Sequence, residues 1–373
     1  MLRRVGETID PKGAVVKIKD ASFPAPFASE LEYNSPVHGS WNIVHTGMQV
    51  PESIQIYVCA DNCMRGVVLT AAEMNAADRF SFVILEEQDL LNSNLEDITI
   101  EGVTDVLNKR GDHPRAVLLF TVCLHHFVGS NLDYIYSELG HRFPDSCFIR
   151  CYMDPIMQKH GLTPDQKLRK AMYDPLPACE PDRKTVSIFG SDFALDESSD
   201  IRRLLKRYEY TVKELPACKT WQDLLDMSKG SLFIDCYPAG KYGMEAQAER
   251  LGRKHLYLPG SFDYDEIEKQ LKQLTDILGL PELTGEELAR ERESCEEALA
   301  KAKTLIKDMP ITLDYLYHPR PLGLAKLLLT HGFCVKAVYL DGISPEEKEE
   351  FLWLQKHAPE LELIATIQVK MRV

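Results

Sequence analysis

Short apolar runs alternate with longer mixed segments along most of the chain, and this alternation predicts strands separated by helices. In the first half, the apolar runs lie at 54–58, 81–85, 116–121 and 147–152. Between them lie small or polar residues and segments whose apolar positions have helical spacing. Strands and helices that alternate in this way form parallel sheets from βαβ units. The pattern therefore predicts an α/β fold.

The same alternation begins again after prolines at positions 175, 177 and 181, which indicate a linker. The second series contains predicted strands at 185–189, 210–214, 232–236 and 255–258. Two amphipathic helices then lead to a third and shorter series, with predicted strands at 334–340 and 361–369. We therefore predict tandem Rossmann-like parallel-sheet domains at 1–180, 181–282 and 283–373, the last formed by a helical connector and a shortened third unit.

Composition and charge narrow the class of protein. The 373 residues are 45% apolar and 27% charged, which is typical of a soluble globular protein. A net charge of -14 argues against nucleic acid or an anionic membrane surface as a partner. The N-terminal segment lacks the apolar stretch of a signal peptide, and no apolar run is long enough to span a bilayer. We expect a cytoplasmic protein without membrane contact.

Ten cysteines in a reducing compartment are not expected to form a disulfide framework, which leaves metal binding, catalysis and burial as alternatives. Cys59, Cys63 and Cys123 follow two predicted strands of one domain, and parallel strands end at one edge of their sheet. Thiolates hold iron-sulfur clusters, usually four to a cluster. Three from one chain suggest a fourth ligand from elsewhere or a cluster shared across an interface, although free cysteines are also often simply buried.

Several neighbouring side chains are further candidates. His125 and His126 follow Cys123 closely enough to hydrogen-bond a cluster sulfur or relay a proton, or they satisfy backbone carbonyls in a loop. Asp61 is either a non-cysteine ligand or a solvated turn residue. A further ligand could also be sought at the histidines of positions 38 and 45.

The remaining cysteines and two absent motifs complete the inventory. Cys147 and Cys151 point to the same side of one predicted strand, which favours burial. Cys236 ends the predicted strand at 232–236 and precedes Tyr237, so that burial and ligation are both open. The chain has neither the glycine-rich phosphate loop nor the dinucleotide fingerprint. If its chemistry needs nucleotide energy, a partner must therefore supply it.

The stretch 96–135 carries the most specific motifs. Its first part, EDITIEGVTDVLNKR, and its second, AVLLFTVCLHHFVGSNLDYI, resemble consecutive segments of the nitrogenase component 1 family. That family includes the molybdenum-iron protein subunits, their cofactor-assembly scaffold and the dark-operative tetrapyrrole reductases. By this resemblance Cys123 stands at a cluster-cysteine position. The segment SIQIYVCADNCMRG resembles the family's H-G-P-x-G-C loop and places Cys63 on a second cluster position, although the His-Gly-Pro is missing.

The resemblance also shows departures. Where the family has its first cluster cysteine, upstream of Cys63, this sequence has VHGSW at 37–41, and Cys59 could compensate. The segment FIDCYPAGKYGMEAQAERLGRKHLYLP resembles the one that binds the active-site cofactor in the molybdenum-iron proteins, with Cys236 and Tyr237 at the binding position. The third domain is shorter than the family's, and the part that carries a histidine ligand of that cofactor has no match.

The resemblance implies a subunit of a nitrogenase-like oxidoreductase. It would receive low-potential electrons from an ATP-hydrolysing iron protein and pass them to a substrate, a metallocofactor or a tetrapyrrole in an interdomain cleft. Cys59, Cys63 and Cys123 would hold a [4Fe–4S] cluster shared across a subunit interface, and His125 or His126 would tune it or deliver protons. The assembly would be a homodimer or a hetero-oligomer with a homologous subunit. The alternatives are a non-catalytic metallocofactor scaffold and a structural subunit without a cluster.

Overall fold

The computed structural model describes residues 13–27, 41–91, 94–154 and 161–366. Within these ranges the apolar runs form strands at the predicted places. The strands are β1 Val15–Lys17, β2 Ser53–Cys59, β3 Phe80–Ile84, β4 Ala116–Val122, β5 Cys147–Met153, β6 Asp182–Phe189, β7 Thr211–Glu214, β8 Gly230–Asp235, β9 Lys254–Tyr257, β10 Pro310–Asp314, β11 Cys334–Tyr339 and β12 Glu362–Ile364. The end of the strand predicted at 361–369 lies outside the described residues.

Helices occupy most of the intervening segments. They are α1 Ile43–Met48, α2 Arg65–Glu73, α3 Glu87–Leu91, α4 Leu95–Arg110, α5 Cys123–Val128, α6 Leu132–Arg142, α7 Pro164–Ala171, α8 Asp200–Arg207, α9 Trp221–Asp226, α10 Lys241–Arg250, α11 Tyr264–Leu278, α12 Gly285–Ile306, α13 Pro321–Thr330 and α14 Lys348–His357. None of the helices in the described ranges is long and apolar enough to cross a membrane.

The chain forms two compact units. Asn34–Tyr257 makes one, and Met1–Tyr33 together with Leu258–Val373 makes the other. The first unit contains two parallel sheets, of strand orders β3-β2-β4-β5 and β7-β6-β8-β9. The second contains a sheet of order β1-β12-β11-β10, in which only β1 is antiparallel. The predicted α/β fold with parallel sheets is thus confirmed, whereas the three domain boundaries stay predictions.

The two central strands of the first sheet are buried on both faces. All seven residues of β2 and all seven of β4 are buried, as expected for parallel strands covered by helices on either side. The rings of Tyr57 and Phe120 stack across the two strands, with centroids 4.3 Å apart. The Tyr57 hydroxyl donates to the Gln55 side chain at 2.7 Å, so that this buried polar pair is satisfied.

The register of these strands brings the first group of candidate residues to one edge. Because Tyr57 pairs with Phe120, Cys59 lies level with Val122, one residue before Cys123. No loop separates Cys123 from a helix, since α5 begins at that residue and ends before Gly129, which has a φ of +67°. The reason is local. His125, the third residue of the helix, accepts a hydrogen bond from the Val122 N–H, which would otherwise lack a partner at the helix N-terminus.

The order in which the chain adds strands to the second sheet reverses between its two central strands, β6 and β8. The chain runs from β6 outward to β7 and then crosses to β8 on the other side of β6. In open α/β sheets, this switch point at the carboxyl ends is where ligands bind. Here Gly190, whose φ is +83°, directly follows β6, and β8 ends at Asp235.

A buried arginine on α7 joins the helices of the first sheet to the end of β6. Arg169 is 2% exposed, and its Nε lies 3.0 Å from Asp165 Oδ2. Its Nη1 donates to the Gly190 carbonyl at 2.9 Å, and its Nη2 lies 2.7 Å from Asp192 Oδ1. Burial opposes the charged form, but the carboxylates of Asp165 and Asp192 outweigh it and raise the pKa of Arg169.

Helices α7 and α10 approach each other closely at a glycine. A Cβ added to Gly243 would lie 2.7 Å from Lys170 Cα, which is closer than side-chain carbons pack. Gly140, in α6, has no atom within 4 Å of its Cβ position. Gly140 therefore has room for a side chain and Gly243 has none. The absence of a side chain at Gly243 lets α10 pack against α7 beside the end of β8.

We predict opposite effects for the two Gly→Ala substitutions. Gly243→Ala should lower the free energy of unfolding by about 1 to 3 kcal/mol, because the backbone of Lys170 must move. Gly140→Ala should raise it by up to about 1 kcal/mol, the helix-propensity gain without a clash. Urea unfolding followed by circular dichroism measures both. Equal effects of the two substitutions would contradict the close approach of α7 and α10.

Candidate functional site

Two accessible thiols lie at the carboxyl edge of the first sheet. Cys63 ends a 3-10 helix, Asp61–Cys63, that follows β2, and its side chain is exposed. Cys123, the first residue of α5 after β4, is half-buried. Burial raises the pKa of each thiol, and the charges of Asp154 and then of Cys63 raise the pKa of Cys123 further.

Cys59 differs from these two residues. Its side chain is completely buried at the end of β2, in the apolar cluster that also contains Tyr57 and Phe120. Burial, followed by the charges of Cys63 and Asp61, raises its pKa to about 12. A thiol in this environment stays protonated and packs as a small apolar residue. Its assignment as a metal ligand stays a prediction, and its environment favours packing.

His125 is a structural residue of the α5 N-terminus. Its side chain is 3% exposed, and Nδ1 accepts a hydrogen bond from the Val122 N–H at 3.3 Å. The Thr99 hydroxyl donates to the Leu95 carbonyl, so His125 Nε2–H donates to Thr99 Oγ1 at 3.1 Å. Both ring nitrogens are thus engaged in the neutral state. Burial lowers the pKa of His125 to about 4, which fits this arrangement.

The other candidates around the first sheet are exposed or outside the described residues. His126 and Asp61 both face solvent. His45 is hydrogen-bonded to the Asn42 side chain at 2.8 Å, and burial lowers its pKa. His38 and most of the segment at 37–41 lie outside the described residues.

These donors fit part of an iron-sulfur site. Across 13–27, 41–91, 94–154 and 161–366, no group of three or more His, Cys, Asp or Glu side chains is placed to hold a metal ion. Cys63 and Cys123 nevertheless combine accessibility, a position after the neighbouring strands β2 and β4, and the soft donor atom that iron-sulfur clusters require. The described residues therefore provide two thiols for a cluster whose other ligands would come from elsewhere.

A second group of residues lies at the switch point of the second sheet. Cys236 and Tyr237 directly follow β8, and both are half-buried. Burial, with smaller contributions from Asp235 and Glu214, raises the pKa of the Cys236 thiol. Burial also raises the pKa of Tyr237 to about 12, and the Arg169 guanidinium lies 4.8 Å from its ring centroid. The edge thus presents a neutral thiol and a phenol held by a buried cation.

Asp235 is a residue of this edge that the sequence analysis missed. Its side chain is fully buried, Oδ1 accepts from the Tyr237 N–H at 3.1 Å, and Oδ2 has no hydrogen-bond partner among the described residues. Burial raises its pKa to about 7. Gly190 and Gly240 leave room for it, since a Cβ on Gly190 would lie 2.3 Å from Asp235 Oδ1. The available signal was an aspartate that ends an apolar strand directly before Cys236.

Comparisons with known proteins agree with this architecture. No curated protein matches the chain in sequence. Among solved structures, nitrogenase Cp1 at pH 6.5 is similar, with a TM-score of 0.65 and 12% identity over 92% of this chain and 79% of that chain. Nitrogenase Cp1 at pH 5 gives a TM-score of 0.59 and 12% identity over 96% of this chain and 81% of that chain. At this identity the likeness is one of fold.

A family profile gives the stronger result. The profile described as nitrogenase component 1 type oxidoreductase matches residues 101–370, which is well over half of the chain. The matched region contains Cys123, Asp235 and Cys236, and it begins after Cys59 and Cys63. The chain therefore belongs to the nitrogenase component 1 type oxidoreductase family.

Proposed function

We propose that this chain is a cytoplasmic subunit of a nitrogenase-like two-component oxidoreductase. In this proposal Cys63 and Cys123 are thiolate ligands of an iron-sulfur cluster, and a partner chain provides the remaining ligands. A bound cluster would take up and release single electrons, which an ATP-hydrolysing iron protein would deliver. The observation that carries the proposal is that two accessible thiols follow neighbouring strands of one sheet in a member of this family.

Apolar surface beside both thiols supports a partner chain at this edge. Val68 and Leu69 on α2 are 43% and 55% exposed, and Phe127 and Val128 on α5 are 66% and 48% exposed. Helix α2 begins two residues after Cys63, and α5 begins at Cys123. Clustered exposed apolar residues mark interaction surfaces in soluble proteins. A homologous subunit, either a second copy or a related chain, would cover these residues and enclose both thiols.

The surrounding residues have defined roles in this proposal. The pKa values of Cys63 and Cys123 are raised, so cluster binding has to displace both protons. His126 is exposed on α5 and is the histidine that we propose to exchange protons with solvent beside the cluster. His125 instead holds the N-terminus of α5 in place.

The edge of the second sheet is the proposed site for a substrate or bound metallocofactor, with Cys236 and Tyr237 as its contacts. The neighbouring Asp235 can hold or release a proton near neutral pH, because its pKa is about 7. Its unpaired Oδ2 makes this edge suited to a group that offers a hydrogen-bond donor.

A second function, a structural subunit or scaffold without its own cluster, is favoured by one observation. The described residues contain no group of three or more metal-binding side chains. In this alternative the apolar residues of α2 and α5 still bind a homologous subunit, but the thiols stay protonated. Metal analysis distinguishes the two functions.

Cys123→Ser should remove most of the iron and acid-labile sulfide from anaerobically purified protein, together with the electron paramagnetic resonance signal that dithionite induces. The matched control is Cys147→Ser, which changes a half-buried cysteine of the same sheet at the opposite end of the strands. Its iron content should equal that of the wild type. Equal iron in the wild type and Cys123→Ser would refute the ligand assignment, and absence of iron in reconstituted wild type would favour the structural subunit.

His125 should make stability pH-dependent. Its pKa is about 4 in the folded chain and near 6.5 when unfolded, so the unfolded chain binds more protons between these values. The contribution of neutral His125 to the free energy of unfolding is therefore fully present above pH 6.5. It falls as the pH drops towards 4, by about 3 kcal/mol at most. His125→Asn should flatten this slope in urea unfolding, and His126→Asn, an exposed neighbour, should leave it unchanged. Parallel slopes for all three proteins would refute the buried neutral histidine.

Phe127→Glu should weaken subunit association. It places a charge among the apolar residues of α2 and α5, and we expect the mass measured by size-exclusion chromatography with light scattering to fall to that of the free chain. Phe193→Glu is the control, because Phe193 is also strongly exposed, at 77%, but follows β6 of the other sheet. Retained association of Phe127→Glu would exclude this surface as the interface.

A further inference from the structure

Helix α12 packs loosely for its length within the unit that contains the third sheet. Every one of its 22 residues is half-buried or exposed. A helix of this length in a globular protein ordinarily buries an apolar stripe against its neighbours. The shorter helix α13 does so, since its Leu322 and Ala325 lie in the apolar core of the unit. Apolar burial therefore holds α12 in place much less firmly than α13.

Two cavities lie between α12 and neighbouring helices. The larger, of about 310 Å³, is lined by residues that include Leu271 of α11 and Leu288 of α12. The smaller, of about 280 Å³, is lined by residues that include Tyr264 of α11, Glu296 of α12 and Leu327 of α13. Protein interiors are close-packed, with few voids larger than a water molecule. The inner face of α12 is therefore incompletely packed.

Polar side chains bridge the gap near the middle of α12. Glu296 accepts a hydrogen bond from the Tyr264 hydroxyl at 2.9 Å, and its Oε2 lies 3.0 Å from His331 Nε2. One turn earlier, Arg292 Nη2 lies 2.6 Å from Asp265 Oδ1 on α11. We call these contacts of Glu296 and Arg292 the clasp. Ion pairs and hydrogen bonds that face water contribute little to stability, so the clasp can break while the unit stays folded.

The backbone at the end of α12 is strained. Lys307 directly follows the helix and has a φ of +51° and a ψ of -121°, a combination that residues with a side chain rarely adopt. The start of the helix, in contrast, is well formed. Thr284 and Glu287 make a capping box, in which each side chain accepts from the backbone N–H of the other residue. α12 is thus a well-capped helix attached to β10 through a strained residue.

We propose that α12 is a strap that swings away from α11 and α13 as a rigid helix, with Lys307 as its hinge. The swing breaks the clasp and opens both cavities to solvent. Incomplete packing lowers the resistance to this motion, and rotation at Lys307 relieves the strain in its backbone. Closure forms the clasp again. The strap therefore controls access to the faces of α11 and α13 that line the cavities.

The test measures how fast a thiol beneath the strap is alkylated in the full chain. The reporter thiol is Leu271→Cys, at a position of α11 that is 7% exposed and lines the larger cavity. The control thiol is Leu274→Cys, at a position of the same helix that is 0% exposed and lines neither cavity. Pulses of iodoacetamide followed by peptide mass spectrometry give both rates. We expect the reporter to react at least about tenfold faster, because local opening is more frequent than unfolding.

Removing the clasp should change only the reporter. The double substitution Arg292→Ala and Glu296→Ala should speed alkylation of the reporter about tenfold and leave the control thiol unchanged. Arg290→Ala with Glu293→Ala is the matched control, because it removes the same kinds of charge from exposed positions of α12, and it should keep the wild-type rate. An unchanged reporter rate without the clasp, or equal acceleration of both thiols, would overturn the strap.

The hinge has a test of its own. Lys307→Gly should slow alkylation of the reporter about threefold, because glycine adopts this conformation without strain and the closed state gains stability. The wild-type rate in Lys307→Gly would refute the hinge. If circular dichroism shows that Leu271→Cys does not fold, Leu288→Cys on the α12 side of the same cavity replaces it as the reporter. The test requires no iron, so its outcome is independent of the proposed cluster.

Discussion

The stability of the larger unit depends on the buried ion pairs and hydrogen bonds of the Arg169 guanidinium. The guanidinium lies where the helices of the first sheet meet the end of β6, and it binds Asp165, Asp192 and the Gly190 carbonyl. Removing one member of such a buried ionic group leaves a charge without a partner. This lowers the free energy of unfolding far more than breaking an ion pair at the surface does. The same guanidinium lies against the Tyr237 ring, so the stability of the unit and the geometry of the second sheet's edge are coupled.

Burial separates the candidate residues into packed ones and accessible ones. The environments of Cys59 and His125 suppress their charged states, and both residues are occupied by packing or hydrogen bonds. Cys63 is exposed and Cys123 is half-buried, so both are more accessible than Cys59. The two sheet edges also differ, since the first presents thiols beside exposed apolar helices and the second presents a buried proton-holding Asp235.

The unit with the third sheet also contains a buried guanidinium that binds carboxylates. Arg320, like Arg169, is a fully buried guanidinium shared by more than one carboxylate. Around Arg169 the hydroxyl of Thr46 and the amide of Gln49 satisfy the carboxylates, at 2.8 and 2.6 Å. Around Arg320, Oε2 of Glu350 has no hydrogen-bond partner among the described residues. The two buried groups therefore differ in how completely their carboxylates are hydrogen-bonded.

The order of strands and helices was predictable from the spacing of apolar residues, because that spacing reflects local geometry. The sequence also indicated Cys63, Cys123 and Cys236 as residues that follow strands, and the family profile supports the resemblance carried by the stretch around Cys123. Which of these side chains are accessible follows only from the folded chain, since burial, pairing and pKa depend on residues distant along the sequence. For Asp235 the sequence offered only an aspartate at the end of an apolar strand; its unpaired Oδ2 and its raised pKa arise only after folding.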